Sequence, residues 1–212
     1  MRFWLLNWAL CFVTLSAFIT FFIIGIIASF NSILCFGEIM FTRLFSALEI
    51  RNDINEVPNK GGVYKHFVDT EGLQKLNGVF PSKQEIIPSG ESVHLLYVGM
   101  AKDLRYRLKW HLGMVNTSHS CILHGTLSTL RLSYIANHED IDCLSKQELL
   151  NVFLDQHVYI SYSQTSDYVG IEQALIKQHD LPLNIKGNQH PFVKVNKERR
   201  KRTKENYINK FT

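Results

Sequence analysis

A mixed α/β (α+β) fold follows from three observations on this 212-residue chain. Three short runs read as strands: Val63–Val68, Val93–Val98 and His157–Ser163. Longer runs between and after them carry apolar residues at helical spacing. All of this stands behind an N-terminal stretch, Phe3–Phe36, that lacks any Asp, Glu, Lys or Arg and predicts a hydrophobic helix.

The N-terminal run outlasts the ~20 residues needed to cross a hydrocarbon core. It also outlasts the ~7–15-residue apolar core of a cleaved signal peptide. It therefore reads as one uncleaved span near Trp8–Ser29, with Trp4 and Trp8 at an interface. Translation from Met40 is the competing reading and would leave the span out. Residues 1–39 thus form a hydrophobic segment and membrane anchor, and 40–56 a connecting amphipathic helix, with Leu44, Phe45, Leu48 and Ile54 recurring over Thr42–Glu56.

Pro58-Asn59-Lys60-Gly61 turns the chain into the first strand. The polar stretch Asp69–Glu91, with its Gly and Pro residues, predicts a loop. After the second strand, Lys102–Leu112 reads as a helix with Asp103 in its first turn, where a carboxylate suits the dipole. A helix is expected over Leu123–Ile135. Ser145-Lys146-Gln147-Glu148 has the capping-box pattern and predicts a helix to about Asp155. The alternation of Val158, Ile160 and Tyr162 marks the third strand. Asp167 is placed to cap a last helix, ending near His179 before Pro182. No repeat and no glycine-rich phosphate loop is present.

The net charge is +4, from 23 Lys and Arg against 19 Asp and Glu. Much of the surplus lies in the tail 194–212, around Arg199-Arg200-Lys201-Arg202. Such a run either meets phosphates or is a solvated tail. Cys121 and Cys143 have no CxxC spacing, so zinc is not expected, and a disulfide between them is not required.

Two tripeptides stand out: Gly62-Val63-Tyr64 and Tyr97-Val98-Gly99. Each puts a tyrosine on a strand beside a glycine. On a helical wheel of 102–112, Leu104, Leu108 and Leu112 form the buried stripe, with Arg107 and His111 on its edge. Arg105, Tyr106 and Lys109 point outward, toward a nucleic-acid backbone. A guanidinium at a stripe edge suits bidentate phosphate binding. In the last helix Val169, Glu172, Leu175, Ile176 and His179 share a face, so Glu172 is a carboxylate in an apolar stripe. Such a charge needs a partner, either Arg107 or a metal ion. One carboxylate supports one Mg²⁺ completed by water and phosphate.

The order GVY, YVG, Arg-Leu-x-x-His-Leu, a helix bearing Glu172 and then Pro182-Leu183-Asn184 resembles the GIY-YIG nuclease family, over about Val57–Pro191. Val63 and Val98 stand where the name-giving isoleucines would be. Ser128-Thr129-Leu130-Arg131 and the long stretch before Glu172 are similar to the restriction-endonuclease-like and uncharacterised bacterial branches. The resemblance implies a small three-stranded antiparallel sheet flanked by helices over 57–193, and divalent-metal-dependent hydrolysis of DNA by an endonuclease. It implies Tyr64 as general base or water-orienting group, Tyr97 as a group positioning water or phosphate, and Arg107 on the scissile phosphate. It implies His111 as an aid to the nucleophile, Glu172 as ligand of one Mg²⁺ or Mn²⁺, and Asn184 as a supporting residue. Arg105, Lys109 and Arg199–Arg202 are the expected DNA contacts. Cutting both strands would take a homodimer or two successive nicks. The nuclease domain is expected in the cytoplasm, tethered to a membrane through residues 3–36, or untethered if the chain starts at Met40. The alternative is a membrane-associated, non-catalytic nucleic-acid binder on the same scaffold.

Overall fold

The computed structural model describes residues 39–80, 83–87, 89–141 and 143–210. Among these, five strands form one antiparallel sheet: β1 (Phe45–Ser46), β2 (Gly62–Asp69), β3 (Gln84–Ile86), β4 (Ser92–Ala101) and β5 (Val158–Gln164). Their order is β1-β5-β2-β4-β3. The three expected strands are its centre, β5-β2-β4, but the three-stranded sheet is corrected to five by a short strand at each edge. Neither edge strand had a pattern to read. β3 lies in the polar stretch and its side chains are half or fully exposed. β1 is two residues long, and Phe45 fits the helical spacing of its neighbours equally well.

β2 is central and buried on both faces along its length, apart from Asp69 at its end. That fits a strand covered on both sides rather than one facing water. A bulge falls between His66 and Phe67, where the partner register on β4 jumps from Tyr97 to Leu95. Up to that point the register is unbroken, so Tyr97 lies directly opposite His66, on the same face as Tyr64.

The helix expected over Thr42–Glu56 shrinks to α1 (Ala47–Asn52) and a 3₁₀ turn at Ile54–Glu56. Its start is a reciprocal capping box: Ser46 Oγ accepts from Glu49 N at 3.1 Å, and Ser46 N donates to Glu49 Oε2 at 2.7 Å. α2 (Thr70–Gln74) follows β2 inside the stretch expected as loop. α3 (Leu104–His111) starts at Asp103, whose carboxylate accepts from Tyr106 N, and Leu104, Leu108 and Leu112 are fully buried. Burying each leucine contributes about 1.5–3 kcal/mol. α4 (His119–Leu123) and α5 (Thr129–Asn137) replace the single helix expected over 123–135.

α6 (Gln147–His157) forms without the capping box read at Ser145. Ser145 Oγ bonds to Cys143 Sγ instead, and the helix begins one residue later, where the Gln147 side chain is held by Arg131. α7 (Tyr168–Gln178) is capped by Asp167 as its sequence predicts. The basic tail is not a solvated coil: α8 (Phe192–Ile208) buries Phe192, Asn196 and Tyr207 and packs against α5.

Phe41–Thr212 forms one compact unit. The hydrophobic helix expected over residues 3–36 lies outside the described residues. Among those described, no helix is long and apolar enough to cross a membrane. Cys121 and Cys143 are not joined in a disulfide.

Candidate active site

The two tripeptides face each other. Tyr64 on β2 is the antiparallel partner of Gly99 on β4. The Tyr64 ring lies over Gly99 so closely that a β-carbon there would sit 2.3 Å from the phenolic oxygen. Gly62 is equally constrained, since a β-carbon would fall 2.3 Å from Ser163 O and 2.6 Å from Leu104 Cδ1. The glycines are therefore steric requirements of the strand pairing, not sources of unusual backbone angles. The Tyr64 and Tyr97 ring centroids are 6.1 Å apart.

His111, at the end of α3, is buried rather than at a stripe edge. Its Nε2 is 2.7 Å from Tyr64 Oη and its Nδ1 is 2.6 Å from Ser128 Oγ. Ser128 Oγ also accepts from Arg131 N, at 3.3 Å, as the cap of α5. Both ring nitrogens of His111 are thus hydrogen-bonded, one to the cap hydroxyl and one to the phenol. Arg131 Nη1 donates to the His111 carbonyl at 3.2 Å, so one turn of α5 grips both ring and backbone of His111. Arg131 is itself fully buried and bonded to neutral acceptors on Gln147 and Asn151. Burial pulls its guanidinium down to about 9, still protonated at neutral pH.

Burial also pushes the Tyr64 phenol well above its ordinary value, with the Arg107 guanidinium opposing the shift. Burial drives His111 far below the ordinary imidazole value, reinforced by His66, Arg107 and Arg131. His111 is accordingly a neutral imidazole held between Tyr64 and Ser128. His66, between Tyr64, Tyr97 and His111, has neither ring nitrogen hydrogen-bonded among the described residues, and burial takes it to about 3.

Tyr64, Tyr97, Arg107, Glu172 and Asn184 line one cleft of about 1030 Å³. Arg107 is half-buried, its guanidinium 4.8 Å from the Trp110 ring centroid. Glu172 is half-buried at the rim of a stripe made by Ile171, Leu175 and Ile176, while Val169 is exposed. Burial raises the Glu172 carboxyl, opposed by the Met100 backbone N–H and then by Lys186 and Arg107. Among the described residues neither Arg107 nor Glu172 is in an ion pair, so the two do not neutralise each other. Among the described residues Glu172 is the only carboxylate lining the cleft, and no cluster of three or more metal-ligating side chains occurs. A half-buried carboxylate that no described cation contacts as an ion pair fits a metal ion held by one protein ligand.

Asn184 works on the backbone. Its Oδ1 accepts from Val98 N at 2.9 Å and its Nδ2 donates to Val98 O at 2.7 Å. With Leu183 N bonded to Leu96 O at 3.1 Å, it closes the open edge of β4 beside Tyr97.

The expected DNA contacts divide. Arg200 and Lys201 line the cleft; Arg105, Lys109, Arg199 and Arg202 do not. Arg105 donates to Val57 O and Asn55 O and ties the 3₁₀ turn to α3. Arg199 donates to Asn77 O and Asn137 Oδ1 and holds α8 down. Arg202 is exposed, 3.9 Å from Glu198. Sequence reasoning missed Ser128 and Arg131 as the grip on His111, and it missed Lys177, Lys186, Lys197 and Lys204 on the cleft. For α8 a signal existed: residues 197, 200, 201 and 204 follow the i, i+3, i+4, i+7 spacing of one helical face.

No curated protein and no solved structure matches the chain. A family model does: the GIY-YIG catalytic domain matches residues 62–206, from the first tripeptide through Glu172 and into α8. The chain therefore belongs to the GIY-YIG catalytic-domain family, a family of endonucleases.

Proposed function

We propose that this protein is a divalent-metal-dependent DNA endonuclease that hydrolyses phosphodiester bonds in the Tyr64–Glu172 cleft. The observation that carries the reading is the convergence there of two phenols with an Arg107 guanidinium and a Glu172 carboxylate, neither of them in an ion pair among the described residues. Glu172 would hold Mg²⁺ or Mn²⁺. When bound, the ion offsets phosphate charge and eases ionisation of nearby acids.

The protein's own groups do the rest. Arg107 binds the scissile phosphate and meets the charge that accumulates on its oxygens. Tyr97 orients water or phosphate from the neighbouring strand. Arg107 favours the ionised oxygen of Tyr64, which takes a proton from the attacking water. As the water oxygen bonds to phosphorus, the bond to the leaving sugar oxygen breaks, and that oxygen takes a proton from solvent. Asn184 keeps β4, and with it Tyr97, in register.

The same reading puts residues 3–36 in a membrane with the nuclease unit on the cytoplasmic side, or starts the chain at Met40. Mass spectrometry of the native N-terminus distinguishes these. The central test is cleavage of plasmid, branched and single-stranded DNA by the purified chain with Mg²⁺ or Mn²⁺. Cleavage that Glu172→Ala abolishes is the expected result. A folded wild-type chain that nicks none of these substrates would sink the proposal.

A further inference from the structure

The cleft has more cationic groups than a single scissile phosphate needs. Against one carboxylate, Glu172, it gathers Arg107, two lysines on the α7 side (Lys177 and Lys186) and four residues of α8. Those four, Lys197, Arg200, Lys201 and Lys204, form one face of the helix, while Asn196 and Arg199 fasten the adjoining face to Asn137 of α5. The anchoring leaves the cationic face over the cleft. Arg200 differs from its neighbours. It is half-buried, whereas Lys197, Lys201 and Lys204 are exposed. Among the described residues its guanidinium has no hydrogen-bond or ion-pair partner. Its N–H donors keep solvent access at the cleft and are unused by the protein, so they can take the two oxygens of a phosphate. Arg200 is also close enough to Tyr97 for each to perturb the other electrostatically.

We infer that α8 is the second wall of the DNA site, with Arg200 a phosphate-binding residue beside Tyr97 and Lys197, Lys201 and Lys204 a track for the flanking phosphates. The cleaved strand then runs between α8 and the Lys177–Lys186 side. Arg107 holds the scissile phosphate and Arg200 a neighbouring one. This rests on the nuclease reading of the cleft and adds the path of the strand. The substrate class is DNA held by at least two successive phosphates, so a mononucleotide diester would not serve.

The test uses the full-length chain and a fluorescent DNA oligonucleotide. Binding is measured in EDTA from 50 to 200 mM KCl, and single-turnover cleavage is measured separately with Mg²⁺. Each phosphate contact contributes about 0.9 to the slope of log K against log salt. Lys197→Ala/Lys201→Ala/Lys204→Ala should lower that slope by about 2–3 and weaken binding. Arg202→Ala/Lys210→Ala, which removes charges outside the cleft, should leave it nearly unchanged. Arg200→Ala should weaken binding and lower the slope by about 1, with the slope recovered in Arg200→Lys, which keeps the charge. Thermal melting of each variant excludes unfolding. Equal slopes for the two multiple variants, or a wild-type slope and affinity for Arg200→Ala, would overturn the inference. A chain that binds DNA with the predicted slopes and never cuts it would overturn the nuclease reading instead. No binding at all would overturn both.

Discussion

Tyr64 Oη and His111 Nε2 lie 2.7 Å apart, and the other nitrogen of that imidazole lies 2.6 Å from Ser128 Oγ. The buried chain runs from a helix cap to the phenol at the cleft, and it fixes the orientation of the His111 ring. Ser128→Ala removes the cap and the orienting bond together. The cap alone is worth about 1 kcal/mol of stability. The orienting bond should appear separately, as a single-turnover cleavage rate about tenfold lower. A double-mutant cycle with His111→Ala isolates it: once the imidazole is gone, Ser128→Ala should cost almost nothing further in rate. Additive losses would mean that Ser128 acts only on α5.

Gly99 tests the strand pairing. An alanine methyl there would sit 2.3 Å from Tyr64 Oη and 2.5 Å from Tyr64 Cζ. Gly99→Ala should destabilise the domain by about 1–3 kcal/mol, the usual range for overpacking, and reduce cleavage by displacing the phenol. Because the nearest atom is the hydroxyl, Tyr64→Phe in the same chain should recover part of the stability and none of the activity. Chemical denaturation of the single and double variants measures both effects.

The centre of this arrangement was readable because it obeys periodicity. The β2 and β4 runs, the leucine stripe of α3 and the Asp167 cap each have a local pattern, and each forms where that pattern puts it. What was not readable depends on choices between equivalent partners. Ser46 and Ser145 both begin a capping-box pattern; only Ser46 uses it, because Ser145 turns to Cys143 and Gln147 is drawn into the Arg131 network. Arg199 and Arg200 are adjacent and chemically identical, yet 100° of helical rotation gives one to Asn137 and the other to the cleft. The position of Glu172 was legible, but its depth was not. Helical spacing assigns a residue to a face, but how much solvent it keeps there is set by tertiary packing.

Arg107 and Glu172 should be separable from folding. Neither is in an ion pair among the described residues, so removing either leaves no buried partner charge uncompensated. Glu172→Gln should melt no lower than wild type, lose Mn²⁺ binding in calorimetry and lose cleavage. Arg107→Lys keeps the charge but not the planar fork, and should cost about 10²–10³-fold in cleavage rate. A large fall in melting temperature for either variant would indicate a structural role and count against the site.

Acid should weaken the fold through the buried histidines. His66 is faced by the rings of Tyr64, Tyr97 and His111, none of them a carboxylate, and its imidazole is held down to about 3 by burial. His111 is depressed in the same direction. A base with a depressed folded-state pKa binds its proton more readily when unfolded. Its stabilising contribution is complete above the unfolded value near 6.5 and falls away as the pH drops toward the folded value. Between about pH 6.5 and 4, stability should therefore fall by up to about 1.4 kcal/mol per pH unit for each histidine. His66→Phe removes one titrating group and two unbonded nitrogens while keeping the ring. It should flatten the acid limb and raise the melting temperature at pH 5, with little change at pH 8 beyond the gain from removing those nitrogens. Identical acid limbs in wild type and His66→Phe would show that His66 reaches water or a hydrogen-bond partner in solution.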